Sequence, residues 1–414
     1  MLFQPIQSAI NSLKKNKSRT ALTILGVVIG ITAVITVLST GQAIKGLIIG
    51  EIEAFGSNFI QIEVKTPQTS QTSTENAFSM LGGSIVTTLK IEDAEKLSKH
   101  TNVNKYYASV LGQKLVNYES EFKKTLIMGT SADFIDIDTS EIESGTFYSK
   151  QDDAAFNQVV VIGHNIKESL FGLQDPIGKR IKIGNEKFKI IGYLKEKGPS
   201  FSFNMDDMVF MPIKTLQKRL LGIDYVSYII FQLKDSSIAT NTAKDFEIML
   251  RQEHNITDPD KDDFAITTME QMVEMLDIVI YGIQILLIAL GSISLIVGGV
   301  GIMNIMYVSV TERTFEIGLR KAIGAKNSNI LWQFLAEAII ITLAGGIFGI
   351  FFGVLLSYLI SIVAIQFGLA WTFSISWNGL FLAVSMSVFI GLIFGLYPAK
   401  QASKKDPITS LRHE

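Results

Sequence analysis

Apolar residues gather in three long uncharged blocks. Residues 21–44, 278–311 and 338–399 contain no Asp, Glu, Lys or Arg. About 20 apolar residues carry a helix across a hydrocarbon core about 30 Å thick, so the first two blocks each predict one span. The third is too long for a single helix. Gln366, Gly368, Asn378 and Gly379 place polar and flexible positions inside it and divide it in two. The pattern therefore predicts four spans. Trp332, Trp371 and Trp377 flank the third and fourth, where the amphipathic indole ring favours the membrane–water interface.

Residues 45–277 have a different pattern. Phe59, Gln61, Glu63 and Lys65 alternate with Ile60, Ile62 and Val64, the period of two of a strand. Residues 159–162, 187–194 and 225–233 also read as strands, and 91–100, 216–221 and 239–254 as helices. Interleaved strands and helices predict an α+β domain in one or two lobes. Residues 67–79, rich in Ser, Thr and Gln, predict a loop. The fold class is thus four transmembrane α-helices with a large α+β extracytoplasmic domain inserted between helices 1 and 2.

Two further patterns concern the ends of the spans. Ile6, Ala9, Ile10 and Leu13 share one helical face while Gln7, Asn11, Lys14 and Lys15 lie on others, with Pro5 at the first turn. This predicts an interfacial amphipathic helix. At 1.5 Å per residue, a helix over 278–310 would be about 50 Å long. The excess either projects outward through 269–277 as a stalk, beside an extension of the first span over 41–55, or is absorbed by tilt and a kink near Gly298-Gly299.

Composition sharpens the reading. Charged residues make up 18% and hydrophobic residues 48%, against about 25% charge in ordinary globular chains, and the mean hydropathy is +0.33. The net charge of −2 gives no signal for nucleic acid. Cysteine is absent, which excludes thiolate metal sites and a Cys nucleophile. His100, His164, His254 and His413 lack ligand spacing, so no metal is expected. Basic residues cluster in three places: Lys14, Lys15, Lys17 and Arg19; Arg313, Arg320, Lys321 and Lys326; and Lys400, Lys404, Lys405 and Arg412. With four spans all three fall on one side, which the positive-inside rule makes cytoplasmic. Both termini are then cytoplasmic in a multi-pass plasma-membrane protein. The first block exceeds a signal peptide's h-region of about 7–15 residues, and its removal would leave an odd number of spans.

Residues 172–180 superficially resemble a phosphate loop. Five residues rather than four separate Gly172 from Gly178, and Arg180 stands where Ser or Thr would hold magnesium. They read as a helix-to-strand turn, so no ATP chemistry is expected on this chain. Glu337 lies near the cytoplasmic end of the third span, where snorkelling or a helix N-terminal placement accounts for it. Gly26 and Gly30, then Gly345, Gly349 and Gly353, then Gly391 and Gly395 recur every four residues. Such spacing lets helices approach closely, within a chain or between copies. Between the second and third spans, Phe315, Leu319 and Ile323 form one stripe with Glu312, Arg313, Glu316 and Arg320 around it. That short helix either docks a soluble partner or only fixes topology.

Three segments together resemble the MacB/FtsX-like permease family of ABC transporters. The first is residues 18–31, from Ser18-Arg19-Thr20 to Gly30-Ile31. The second runs from Gly298-Gly299-Val300-Gly301 through Thr311-Glu312-Arg313 to Ile323-Gly324-Ala325. The third is Tyr397-Pro398-Ala399-Lys400 with residues 406–412. Residues 159–198, with Phe171-Gly172 and Pro176-Ile177-Gly178-Lys179, are similar to the periplasmic core domain of that family. The resemblance implies a permease dimer, more readily a homodimer, whose coupling helices rest on ABC nucleotide-binding subunits. It assigns Thr311, Glu312, Arg313, Phe315, Glu316, Ile317, Leu319, Arg320 and Lys321 to the docking surface. ATP and magnesium belong to the partner, and no cofactor is expected here. It further implies relay of ATP-driven motion to the outer domains for export, with a membrane-fusion-type adaptor. An FtsX-like regulator of a cell-wall hydrolase and a lipoprotein-release permease are the alternatives. About 20 residues precede the first block, so a stand-alone permease with a separate ATPase is expected. The organisation so read is 1–20 amphipathic helix, 21–44 first span, 45–277 core domain, 278–310 second span, 311–330 coupling helix, 331–365 third span, 366–378 loop, 379–398 fourth span and 399–414 tail.

Overall fold

The computed structural model describes residues 17–53, 58–65, 87–198 and 204–411. The expectations for 1–16 and for the loop 67–79 lie outside those residues, as does Arg412. The chain divides into two compact units, Met1–Leu47 with Asp277–Glu414, and Ile48–Leu276.

The first helix, α1, covers Lys17–Glu53. The second unit is then built on ten strands: β1 (Phe59–Val64), β2 (Val103–Tyr118), β3 (Glu121–Thr130), β4 (Ile142–Gly145), β5 (Val159–Ile162), β6 (Arg180–Ile183), β7 (Glu186–Leu194), β8 (Met208–Pro212), β9 (Tyr228–Leu233) and β10 (Phe264–Thr268). They form one sheet in the order β10-β1-β9-β2-β3-β8-β5-β7-β4, with β6 joining β2 and β7. One continuous sheet replaces the two-lobe option. The pairs β3–β8 and β5–β7 are parallel, and the remaining pairs are antiparallel.

Strand alternation divides the core in two. Ile60, Ile62, Ala108, Val110, Val160, Ile162, Ile229 and Phe231 point into one apolar cluster. Phe59, Tyr107, Val161 and Ile230 point into the other. Neighbouring residues face opposite sides of the pleat, so a sheet covered on both faces buries nearly every position, as parallel-containing sheets do. Helices α2 (Ile91–Leu97), α3 (His164–Phe171) and α4 (Ala239–Glu253) bury Ala94, Leu97, Ile166, Leu170, Phe246 and Leu250 in the first cluster. The second closes under Phe134, Ile137, Tyr148 and Met205.

After the inserted domain, whose further helical turns include Phe134–Ile137, Lys150–Ala154 and Ile213–Thr215, come α5 (Met269–Glu312), α6 (Thr314–Ala322), α7 (Asn327–Gln366), α8 (Trp377–Ser403) and α9 (Pro407–Leu411). Among the described residues four helices, counting α1, are long and apolar enough to cross a membrane. Helix α5 begins at Met269 and is unbroken through Gly298-Gly299. Ser376 caps α8 by accepting from Gly379 N at 3.1 Å.

Glycine sets the packing of these helices. A Cβ on Gly349 would lie 2.7 Å from Ile31 Cβ, and one on Gly353 2.7 Å from Ile35 Cβ. Gly345 meets Val27 in the same way, at 3.1 Å. A ridge of α1 residues four apart thus seats in a glycine groove of α7. Thr32 Oγ1 donates to Gly349 O at 3.1 Å and Thr36 Oγ1 to Gly353 O at 3.4 Å, adding polar ties along the seam. Gly26 and Gly298 bring α1 onto α5, and Gly30 faces Leu295. Gly391 faces Ile339 and Thr342, while Gly395 faces Ala338. All seven glycines of the four-residue pattern therefore meet other helices of their own chain.

Candidate functional site

The chain turns from α5 into α6 at a single residue. Arg313 has φ −101° and ψ 17°. Its N–H still reaches Ser309 O at 3.1 Å, and Ile317 N reaches Arg313 O at 3.0 Å. The hydrogen-bond path thus continues while the direction changes. At the far end Gly324 adopts φ +100°, a left-handed conformation that favours glycine, and Lys326 precedes α7.

Helix α6 has two unlike faces. Outward stand Phe315, Glu316 and Leu319, with Ile323 just past its end and Thr311 and Glu312 at the end of α5; Phe315, Leu319 and Ile323 are 54%, 49% and 80% exposed. Inward lie Thr314, Ile317 and Gly318, all buried. Gly318 is needed for a close approach: a Cβ there would fall 2.6 Å from Ser410 Cβ of α9. Lys321 Nζ donates to Ser403 O at 2.6 Å and to Lys405 O at 2.7 Å. It satisfies carbonyls at the end of α8 and places positive charge at the negative end of that helix dipole. Arg320 bonds Glu316 Oε1 and, on α7, Gln333 Oε1, each at 2.6 Å.

The deepest tie is ionic. Arg313 Nη1 lies 3.2 Å from Glu337 Oε2, and the Glu337 side chain is fully buried. This corrects the snorkelling expected of Glu337. A fully buried carboxylate is sustained by charged or hydrogen-bonded partners, and one of them, Arg313, is a residue that the resemblance had assigned to the docking surface. Of the nine residues assigned there, Thr311, Glu312, Phe315, Glu316 and Leu319 are exposed. Arg313, Ile317 and Lys321 turn inward, and Arg320 bridges from the rim to α7. One acidic residue interrupting an otherwise uncharged run was the available signal for Glu337.

The inserted domain holds a second polar cluster. His254 Nδ1 lies 2.8 Å from Asp263 Oδ1, and its Nε2 lies 3.4 Å from Asp93 Oδ2. The bonds to Asp263, and then to Asp93, raise its pKa to about 9. It ties α2, the end of α4 and the approach to β10 together. The adjoining recess of about 560 Å³ includes Lys90, Asp93, Lys96, Asp224, Glu253 and His254 in its lining. Its charges neutralise one another through Lys96–Glu253 and Lys90–Asp224. Among the described residues no group of three or more His, Cys, Asp or Glu is arranged to hold a metal ion. At 172–180, Ile177 N donates to Asp175 Oδ1 at 3.0 Å, and Gly178 (φ +81°) donates to Ile190 O at 2.8 Å. The segment is a turn between α3 and β6.

Among the described residues, four helices able to cross a membrane, a β-rich domain between the first and second, and a short helix between the second and third give the topology of a multi-pass permease, and the family matches make its class that of ABC-transporter permeases. The chain belongs to the MacB-like family. The MacB-like periplasmic core domain matches residues 20–247, and the FtsX-like permease C-terminal domain matches residues 288–407. It is 32% identical over 415 residues to the macrolide export ATP-binding/permease protein MacB of Bdellovibrio bacteriovorus, covering 100% of this chain and 62% of that protein. It is 31% identical over 404 residues to the probable syringafactin export ATP-binding/permease protein SyfD of Pseudomonas syringae pv. syringae, covering 97% and 59% respectively. The chain thus spans about three fifths of the length of these relatives. Among solved structures it is similar to the periplasmic region of MacB from Actinobacillus actinomycetemcomitans, with a TM-score of 0.46 and 19% identity, over 55% of this chain and 95% of that one.

Proposed function

We propose that the chain is the permease subunit of an exporter powered by a separate nucleotide-binding subunit that docks on the exposed face of α6. The observation that carries this reading is the outward stripe of Phe315, Leu319 and Ile323 on a helix whose other face is fastened to α7, α8 and α9. Water-exposed apolar stripes of this kind mark interaction surfaces. In this reading α6 and both termini are cytoplasmic and the inserted domain lies outside, which the basic flanks support. ATP and magnesium are bound by the partner, and this chain is not itself catalytic. Two permease copies make the working unit, and ATP-driven closure of the partner is relayed to the inserted domain. There a membrane-fusion-type adaptor receives the cargo. Export is favoured because relatives named for macrolide and syringafactin export align over 100% and 97% of the chain.

A mild-detergent pull-down of the tagged full chain tests the reading. It predicts a co-purifying nucleotide-binding protein with vanadate-sensitive ATP turnover, together with an adaptor. A wall hydrolase in place of the adaptor would favour a regulatory role, and recovery of the chain alone would refute coupling to a separate ATPase and leave the family membership to the fold only.

A further inference from the structure

We propose that α9 is a second part of the docking surface: Ile408 and Leu411 seat against the same nucleotide-binding subunit as the α6 stripe. The inference rests on the docking role proposed above for α6. Helix α9 has five residues, Pro407–Leu411, too few to hold a helical shape unaided. Its neighbours hold it instead. Asp406 Oδ2 accepts from Thr409 N at 3.0 Å, and Asp406 O accepts from Ser410 N at 3.0 Å and from Ser410 Oγ at 2.6 Å. Pro407 stands at the first helical position, where no N–H is needed. Ser410 is buried against Gly318, whose lack of a side chain lets α9 lie close on α6. Lys321 of α6 grips the turn ahead of α9 through Ser403 O and Lys405 O. The two helices are thus fastened to each other.

That anchoring leaves apolar surface outside. Ile408 is 72% exposed and Leu411 39%. They are three residues apart, on one side of the helical turn, whereas Ser410 is the residue turned inward. With so much of it uncovered, Ile408 adds little to the seat on α6. A partner resting on the α6 stripe meets α9 beside it, so one apolar protein surface covers both. The exposed charged residues of α6 and of the turn 404–406 are Glu316, Lys404 and Asp406, two acidic and one basic. A surface made for anionic lipid headgroups would instead be strongly basic, which favours a protein partner over the membrane.

The test titrates the nucleotide-binding subunit, recovered with the tagged wild-type chain from its own host, onto immobilised full-length variants in detergent. Ile408→Ala should raise Kd about tenfold. Ile408→Glu should raise it further, because it puts a charge where the partner buries an apolar residue. Wild-type Kd for both, while Phe315→Ala, Leu319→Ala and Ile323→Ala together abolish binding, overturns the role of α9 and leaves docking on α6 standing. Wild-type Kd for the stripe variant as well refutes docking on α6 itself. Should either Ile408 variant lower the thermal unfolding midpoint, Ile408→Cys carrying a photoactivatable cross-linker decides in the intact membrane. An adduct with the nucleotide-binding subunit supports the proposal, and adducts with lipid alone overturn it. If the wild-type chain recovers no nucleotide-binding subunit, docking on α6 has failed and the role of α9 falls with it, which is seen before any variant is measured.

Discussion

The stripe on α6 allows a worked estimate. Phe315 and Leu319 are 54% and 49% exposed, so about half of each side chain remains for a partner to cover. Complete burial of such a side chain is worth about 1.5–3 kcal/mol, so half is worth about 1 kcal/mol each. Replacing both by alanine should cost about 2 kcal/mol of docking free energy, or about 30-fold in Kd. Ile323, at 80% exposure, adds about 1.5–2 kcal/mol, taking the triple variant to a loss of several hundred-fold. The covered halves of Phe315 and Leu319 still pack within the chain, so the thermal unfolding midpoint should fall modestly. Ile317→Ala supplies the contrast: Ile317 is 3% exposed, and its truncation should cost about 2–5 kcal/mol of stability. The assay is retention of the nucleotide-binding subunit on the immobilised permease, titrated to give Kd, beside a thermal scan of each variant. A triple-alanine chain that binds with wild-type Kd would refute the assignment of this face.

Further outcomes follow from other contacts. Gly349→Leu drives a side chain into Ile31 and Val28 O on α1, so it should lower the detergent melting temperature sharply, whereas Gly50→Ala, which meets nothing within 4 Å, should leave it unchanged. His254 is raised from 6.5 to about 9. Its contribution, on the order of 3 kcal/mol, is therefore full below about pH 6.5, declines as pH rises and is gone above about pH 9. Pulse proteolysis of the full chain in urea should show the inserted domain weakening over that window, and His254→Ala should flatten the dependence. Lys321→Met removes two charge-assisted bonds at the end of α8, worth on the order of 1 kcal/mol at a partly exposed site. Tryptic cleavage after Lys404 should be accelerated several-fold relative to wild type.

Much of this architecture was legible because membrane spans are written in charge-free length. The turn between α7 and α8 falls where Gln366, Gly368, Asn378 and Gly379 interrupt the third block. Strand β1 was visible in its period-two alternation, and β5, β7 and β9 in residues 159–162, 187–194 and 225–233. The longest hairpin, β2–β3, was not. Its register runs from Ser109–Thr130 to Tyr118–Glu121, yet Tyr107, Ala108, Ser109 and Val110 are buried in succession because both faces of the sheet are covered. That erases the alternation by which a strand is recognised. Spacing on α6 also showed the stripe but not its back. The inward roles of Arg313 and Lys321 depend on Glu337 and on the carbonyls of Ser403 and Lys405. Those partners lie far along the chain, where no local period reports them.

The central claim is that a nucleotide-binding subunit sits on the outward face of α6. The chain has no cysteine, so one introduced thiol is unique. Leu319→Cys, labelled with a photoactivatable cross-linker in the intact membrane, should give one dominant adduct with the nucleotide-binding subunit, and Asp245→Cys on the inserted domain should give none with it. An adduct with that subunit from Asp245→Cys, or its absence from Leu319→Cys while the complex is intact, would contradict the account.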